Sequence, residues 1–240
     1  MIAFHGQVIL LDIEGTVSPL AFVHEIMFPY ARNHVAALLE ASFDAEPVQT
    51  ALDQMARDGG HQNLSEWCPP GSSTHEWIVN AVHRLMDADV KATGLKMLQG
   101  LIWEQGFLNG DLRSTLFEDV VPALKAWHEA GLDLRIYSSG SVHAQKLFFS
   151  HTQAGDLTPL FSGYYDTTIG SKKMANSYTA IAADIGRLPD QVLFISDVVD
   201  ELDAARKAGM MTALALRPGN KPVSAGDHPH LTSFDQIHFA

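Results

Sequence analysis

The sequence predicts an α/β protein with a doubly wound, Rossmann-like parallel-sheet core and an inserted helical cap domain. Three observations support this fold class. Short apolar runs typical of buried strands recur along the chain, and segments with helical periodicity separate the later runs. About 120 residues separate the first two runs, whereas a single crossover between parallel strands needs only a few tens.

The apolar runs predict four parallel strands. Each run has four or five residues, the usual length of a buried strand, and Gly or polar residues follow it. The predicted strands are residues 8–11, 134–137, 192–195 and 212–216.

The segments that follow the long gap carry the periodicity of amphipathic helices. Val120, Leu124 and Trp127 recur at helical spacing, and Gly131 is placed to end that helix. A second apolar series repeats at i, i+3, i+4 and i+7, and a glycine follows it. Its members are Tyr178, Ile181, Ala182 and Ile185.

The long gap predicts a domain inserted after the first strand. The predicted core comprises residues 1–17 and 113–240, and the predicted helical cap comprises residues 18–112. Gly106, near the return from the cap to the core, is a candidate hinge.

Composition narrows the classes of partner. The formal net charge of −12 disfavours binding to a nucleic-acid backbone or to an anionic membrane surface. Cys68 is the single cysteine, which excludes an internal disulfide and favours a reducing compartment. The first apolar run stops at Asp12, too short for a signal segment or a membrane span, so we expect a cytoplasmic protein. Heptad repeats are absent from the sequence, and a monomer is the default expectation.

Polar side chains follow the predicted strands. Asp12 and Glu14 follow the first strand, Ser138 and Ser139 the second, and Asp197 the third. Lys172 precedes the helix that leads to the third strand. Because the carboxyl ends of parallel strands lie at one edge of a sheet, these groups are expected to converge there.

This set of groups suits phosphoryl transfer. A carboxylate can attack phosphorus and form an aspartyl-phosphate. Asp12 and Asp197 are suited to hold Mg²⁺, which takes one or two carboxylates and keeps waters. Lys172 and the Ser138 hydroxyl can hold phosphoryl oxygens. Glu14, two residues after Asp12, can protonate the leaving oxygen and later activate water.

The order of these motifs resembles the haloacid-dehalogenase-like hydrolases, most of which are phosphatases. The resemblance is closer still to one branch, the enolase-phosphatases (acireductone synthases) of methionine salvage, and it spans residues 10–220. The segments that carry it are LLDIEGTVSPLAFVHEIMFPYAR, LQGLIWEQGFLNGDL, YSSGSVHAQKLFF, YYDTTIGSKKMANSY, FISDVVDEL and RPGN.

The resemblance implies a role for each residue. Asp12 would be the nucleophile and a ligand of one Mg²⁺, which Asp197 and either the backbone or the carboxylate of Glu14 would also hold. Ser138 and Ser139 would bind the substrate phosphate, and Lys172 would neutralise it. The substrate would be a small phosphorylated diketone, 2,3-diketo-5-methylthiopentyl-1-phosphate, which the enzyme would enolise and then dephosphorylate. Glu14 is the candidate base for the enolisation.

Alternatives remain at this level. One is a capped, magnesium-dependent phosphatase of another small phosphate ester, such as a sugar phosphate. Another is a phospho-acceptor signalling module, although such modules lack a large helical insertion. Asp200 and Glu201 could favour a helix N-terminus or contact the metal through water, and Ser139 and Ser141 could cap a helix. The segment 217–220 is predicted to be a turn that could border the site.

Overall fold

The computed structural model describes residues 1–224 and 226–239. The chain divides into two compact units, Met1–Val23 together with Arg113–Ala240, and His24–Leu112. The sequence placed the first boundary after residue 17. Residues 18–23 belong to the first unit because Phe22 is buried there, with its ring centroid 5.9 Å from that of Phe148.

The first unit contains a parallel β-sheet of six strands in the order β4-β3-β2-β5-β6-β7, and β1 pairs in parallel with β8 in a separate two-stranded sheet. The strands are β1 (Ile2–Phe4), β2 (Val8–Leu11), β3 (Asp133–Tyr137), β4 (Gly163–Tyr165), β5 (Val192–Ser196), β6 (Met211–Ala215), β7 (His230–Leu231) and β8 (Ile237–Phe239). The predicted α/β class is confirmed, and the four predicted strands are β2, β3, β5 and β6, with ends that differ by at most one residue.

Helices connect the strands of the first unit and form the second unit. The α-helices are α1 (Phe28–Ser42), α2 (Glu46–Asp58), α3 (Leu64–Trp67), α4 (Thr74–Asp87), α5 (Thr93–Asn109), α6 (Val120–Glu129), α7 (Val142–Ser150), α8 (Ala175–Ile185) and α9 (Val199–Lys207). A π-helix, Phe22–Met27, precedes α1. Among the described residues, none of these helices combines the length and the apolar character that crossing a membrane requires.

The register of the central strands brings their carboxyl ends to one edge. Leu11 of β2 pairs with Ile136 of β3 on one side and with Ile195 of β5 on the other. All four residues of β2 are fully buried, as expected for a strand covered on both faces. Val8 and Leu10 pack in one apolar cluster with residues of α8 and α9. The residues that follow β2, β3 and β5 therefore begin side by side.

The second unit is a helical bundle with its own apolar core, to which α1, α2, α4 and α5 contribute. Gly94 allows α5 to approach α2 closely, since a Cβ at this position would lie 2.2 Å from the backbone nitrogen of Met55.

Gly106, the candidate hinge, lies inside α5 and is buried there. A Cβ at Gly106 would come within 2.6 Å of the Tyr30 ring, and this close packing between helices accounts for the glycine.

Candidate active site

Asp12 is the first residue after β2 and lies buried at the edge where the central strands end. Its backbone N–H donates to the Ile195 carbonyl at 3.0 Å, which continues the pairing with β5. Its side chain is directed to Lys172, whose Nζ donates to Asp12 Oδ1 at 2.5 Å. The other carboxylate oxygen, Oδ2, lies 3.5 Å from the Thr16 hydroxyl, a distance at which a hydrogen bond is weak.

Lys172 is a buried cation between two carboxylates. It is only 7% exposed, and its Nζ lies 2.7 Å from Glu201 Oε2 in addition to its contact with Asp12. Burial alone would lower the pKa of Lys172, but the charges of Asp12 and Glu201 and their hydrogen bonds raise it. The ammonium is therefore charged at any physiological pH.

Three hydroxyl groups hold the backbone that carries Lys172. The carbonyls of residues 170–172 accept, in order, from Tyr137 Oη at 2.9 Å, Ser177 Oγ at 2.7 Å and Tyr178 Oη at 2.7 Å. Tyr137 ends β3, and Ser177 and Tyr178 lie in the first turns of α8. The position of Lys172 is therefore fixed by two elements of the core.

Asp197 follows β5 and has one oxygen with a partner and one without. Its Oδ2 accepts from Asn220 Nδ2 at 3.2 Å. Its Oδ1 is buried and has no hydrogen-bond partner among the residues that the structure describes. Burial, followed by the negative charges of Asp12 and Glu201, raises the pKa of Asp197 to about 7. The charge of Lys172 lowers this pKa and so compensates the carboxylate only in part.

Gly15 allows the loop after β2 to pass against Asp197. Its φ is +74°, a conformation that L side chains rarely adopt. A Cβ at Gly15 would lie 2.3 Å from Asp197 Oδ2. The Gly in DIEGT is thus required both by the turn and by the neighbouring carboxylate.

The remaining predicted site residues occupy different environments. Ser138 directly follows β3 and is 3% exposed, with its backbone N–H donating to the Tyr165 carbonyl at 3.1 Å. Ser139 and Glu14 are exposed. Ser141 is the N-cap of α7, and its hydroxyl accepts from the Ala144 N–H at 3.2 Å. Ser138 therefore lies at the same sheet edge as Asp12, whereas Ser139 and Glu14 face solvent.

Glu201 belongs to a buried cluster with Asp12 and Lys172. The sequence left open whether Glu201 favours a helix N-terminus or contacts the metal. It is 9% exposed and accepts a hydrogen bond from Ser196 Oγ at 3.0 Å as well as from Lys172. Burial and the charge of Asp12 raise its pKa. Asp200, in contrast, is exposed and pairs with Lys173 at 2.8 Å. The available signal was position, since Glu201 follows Asp197 by four residues and lies in the first turn of α9.

Asn220 is the second group that the sequence left unassigned. It lies in the RPGN segment, and its Nδ2 donates to the Gly15 carbonyl at 2.8 Å as well as to Asp197. The segment is the predicted turn, and it does border the site.

The donor set fits a magnesium ion. Within residues 1–224 and 226–239, no group of three His, Cys, Asp or Glu side chains is clustered as a complete metal cage. Mg²⁺ does not need one, because it is typically held by one or two carboxylates and keeps several waters. The unpartnered Oδ1 of Asp197 is an oxygen ligand of the required kind.

Comparisons with known proteins give one consistent result. Residues 7–209 match the family model described as haloacid dehalogenase-like hydrolase. The chain is 48% identical over 230 residues to Enolase-phosphatase E1 of Synechococcus elongatus, covering 95% of this chain and 96% of the relative. It is 45% identical over 231 residues to Enolase-phosphatase E1 of Methylococcus capsulatus, covering 96% of this chain and 97% of the relative.

Solved structures extend the comparison. The UTR4 protein of Saccharomyces cerevisiae is similar over 96% of this chain and 99% of its own, with a TM-score of 0.79 and 35% identity. CbbY from Rhodobacter sphaeroides, solved with phosphate, has a TM-score of 0.59 at 14% identity over 97% of this chain and 96% of its own. The latter similarity concerns the fold alone.

Proposed function

Because the chain belongs to the haloacid dehalogenase-like hydrolases, we propose that it is the enolase-phosphatase of methionine salvage. It converts 2,3-diketo-5-methylthiopentyl-1-phosphate into the acireductone 1,2-dihydroxy-3-keto-5-methylthiopentene and inorganic phosphate. The observation that carries this proposal is the 48% identity to Enolase-phosphatase E1 over 95% of the chain. The Asp12–Lys172 pair supports the phosphatase half of the reaction.

Hydrolases of this family generally depend on Mg²⁺, and we propose one Mg²⁺ per chain held by Asp12, Asp197 and either the backbone or the carboxylate of Glu14. The support is the position of Asp12 and Asp197 at neighbouring strand ends, together with the unpartnered Oδ1 of Asp197. When bound, Mg²⁺ neutralises charge on the phosphate and polarises a substrate oxygen.

In the proposed transfer step, a carboxylate oxygen of Asp12 attacks phosphorus, and the bond between phosphorus and the ester oxygen breaks. Lys172 neutralises negative charge on the phosphoryl oxygens and also fixes the orientation of the Asp12 carboxylate. Ser138 and Ser139 bind the phosphoryl group. Glu14 gives its proton to the leaving ester oxygen.

In the second step, Glu14 as a carboxylate takes a proton from water, which attacks the aspartyl-phosphate. Inorganic phosphate leaves and the Asp12 carboxylate is restored. Glu14 is also our candidate base for the enolisation, in which a proton moves from the carbon bearing the phosphate ester to the neighbouring ketone oxygen. Its exposure and its position two residues after Asp12 support a group that exchanges protons with substrate and water.

We further propose that the second unit, His24–Leu112, acts as a cap for the substrate, and that the protein works as a cytoplasmic monomer. The single cysteine and the net charge of −12 support a reducing compartment and a small-molecule partner. Size-exclusion chromatography with light scattering tests the monomer, which predicts a mass near 26.2 kDa.

The proposed activity is tested by incubating the protein with the diketo phosphate and Mg²⁺. We expect inorganic phosphate and the absorbance of the acireductone to appear together over many turnovers. Asp12→Asn is the matched control, because the amide keeps the shape of the side chain but is a poor nucleophile. It should remain folded and release no phosphate. Comparable hydrolysis of common sugar phosphates without the acireductone absorbance would contradict the proposal, and so would near-normal turnover by Asp12→Asn.

A further inference from the structure

The RPGN segment forms a tight turn whose sequence accounts for its shape. The Asn220 N–H donates to the Arg217 carbonyl at 3.1 Å, which closes a four-residue turn. Pro218 stands at the second position, and Gly219, with φ of +86°, stands at the third. This is the pattern of a type II turn, which requires positive φ at the third residue.

Arg217 anchors this turn to the loop that follows β2. It is 5% exposed, and its Nη1 donates to Asp119 at 2.8 Å and to the Thr232 carbonyl at 2.9 Å. Its Nε donates to the Thr16 carbonyl at 2.9 Å. The turn is therefore held against the backbone directly after Gly15 by the hydrogen bond from Arg217 to Thr16, and the ion pair with Asp119 fixes the guanidinium.

Asn220 uses both N–H groups of its side-chain amide at the site. Nδ2 donates to the Gly15 carbonyl at 2.8 Å and to Asp197 Oδ2 at 3.2 Å. Both partners are acceptors, so the amide nitrogen of Asn220, and not its oxygen, must face them. Asn220 Oδ1 and Asp197 Oδ1 are then both buried without a hydrogen-bond partner among the described residues.

Two buried acceptors without donors at one place are costly unless a ligand satisfies them. A hydrated divalent cation supplies what both lack, a positive charge for Asp197 and water hydrogens for the Asn220 carbonyl oxygen. A hydrogen-bond donor such as the Asn220 amide fixes the orientation of the metal-binding side chain that it contacts.

We propose that Asn220 is a positioning residue for the divalent-cation site, an inference that rests on the proposed magnesium-dependent function. Its amide ties one oxygen of Asp197 to the backbone of the loop after Asp12 and so reserves the other oxygen for the cation. The competing possibility is that the Asn220 side chain serves only to tie the turn to the Gly15 carbonyl.

The test is the affinity of the substrate-free protein for Mg²⁺, measured by isothermal titration calorimetry. We expect Asn220→Ala to weaken binding about 10–100-fold, the usual effect of removing such a partner. Its turnover should recover at saturating Mg²⁺, because Asp12 and Lys172 are untouched. Lys221→Ala is the matched control, since Lys221 is the next residue and is exposed. It should bind Mg²⁺ as the wild type does.

A lower melting temperature of Asn220→Ala with unchanged Mg²⁺ affinity would show that the Asn220 side chain only ties the turn to the Gly15 carbonyl, and would overturn the inference alone. Failure of the wild type to bind Mg²⁺ would overturn the proposed magnesium-dependent function as well. Should the Ala variant not fold, Asn220→Gln keeps the amide but displaces it by one methylene, and the same loss of affinity is expected. Wild-type affinity in that variant would contradict the inference.

Discussion

Asp197→Asn should stabilise the metal-free protein even though it removes a residue of the proposed site. The Asp197 carboxylate is crowded by Asp12 and Glu201, and its Oδ1 has no hydrogen-bond partner among the described residues. The amide has nearly the same shape but no charge. Replacing the carboxylate therefore removes a desolvated charge and its repulsion from two neighbours.

The magnitude follows from the pKa of Asp197, which is raised from 3.8 to about 7. One unit of pKa difference between the folded and unfolded states corresponds to about 1.4 kcal/mol, so the ceiling is about 4 kcal/mol. Because the side chain is only partly buried, solvent screening reduces the expected gain to about 1–2 kcal/mol. For a chain of this size the melting temperature should rise by about 2–8 °C.

The sign of the pH dependence is fixed by the same shift. An acid whose folded pKa is raised destabilises the folded protein once the unfolded chain can ionise. The penalty in the wild type grows as the pH rises from about 4 to about 7, and is constant above that range. The advantage of Asp197→Asn should therefore be larger at pH 8 than at pH 5.

Thermal unfolding in the presence of a chelator measures this difference at both pH values. Adding Mg²⁺ should reverse the order, because a ligand at 100 times its Kd stabilises the wild type by about 2.7 kcal/mol and the variant hardly at all. Asp200→Asn is the control; Asp200 is exposed and paired with Lys173, so its loss should not stabilise the protein. An equal or lower stability of Asp197→Asn at pH 8 with chelator would refute the reasoning.

Two further variants test the geometry of the site. Gly15→Ala should weaken Mg²⁺ binding measured by calorimetry, because its Cβ would lie 2.3 Å from Asp197 Oδ2. Gly131→Ala is the control, since Gly131 has a similar φ of +82° but no atom within 4 Å of its Cβ. It should lower the stability of the protein and leave its affinity for Mg²⁺ unchanged. Equal Mg²⁺ affinities in the two variants would contradict this. Lys172→Met should lower turnover at least ~100-fold in steady-state assays. It should also lower the free energy of unfolding in urea by about 3–5 kcal/mol, because it leaves two buried carboxylates without their cation. Adding Glu201→Gln should restore part of that stability but not the turnover, and purely additive stability losses would argue against the buried cluster.

The core of the fold could be predicted because its signals are local and strong. Residues 8–11 and 192–195 are continuous apolar runs, as central strands covered on both faces must be. The strand β4 gave no such signal, since GYY has three residues and begins with glycine. Its pairing with β3 comes from the tertiary fold, which a pattern of three residues cannot specify.

Apart from Lys172, which precedes α8, the predicted residues that the structure brings to this edge each follow a recognisable strand. Asp12 and Asp197 are positioned by the ends of β2 and β5, so topology alone brings them to one edge. Glu201 contacts Lys172 because α9 turns its first residues inward, which depends on packing. Asn220 reaches Gly15 through a turn anchored elsewhere by Arg217. The only sequence signal for Glu201 is its spacing of four residues from Asp197, and the contact of Asn220 has no such signal.

The charges of the cluster suggest why a divalent cation suits it. The ammonium of Lys172 contacts the carboxylates of Asp12 and Glu201, and the carboxylate of Asp197 is repelled by both of these acids. With all three carboxylates ionised, two negative charges are left uncompensated at a largely buried place. The raised pKa values of Asp197 and Glu201 express this excess. Such a site repels a phosphate ester until positive charge is added, and a single divalent ion supplies the missing two charges. We therefore expect cation binding to create much of the affinity for phosphate, while Lys172 orients the Asp12 carboxylate and adds one positive charge for the phosphoryl oxygens.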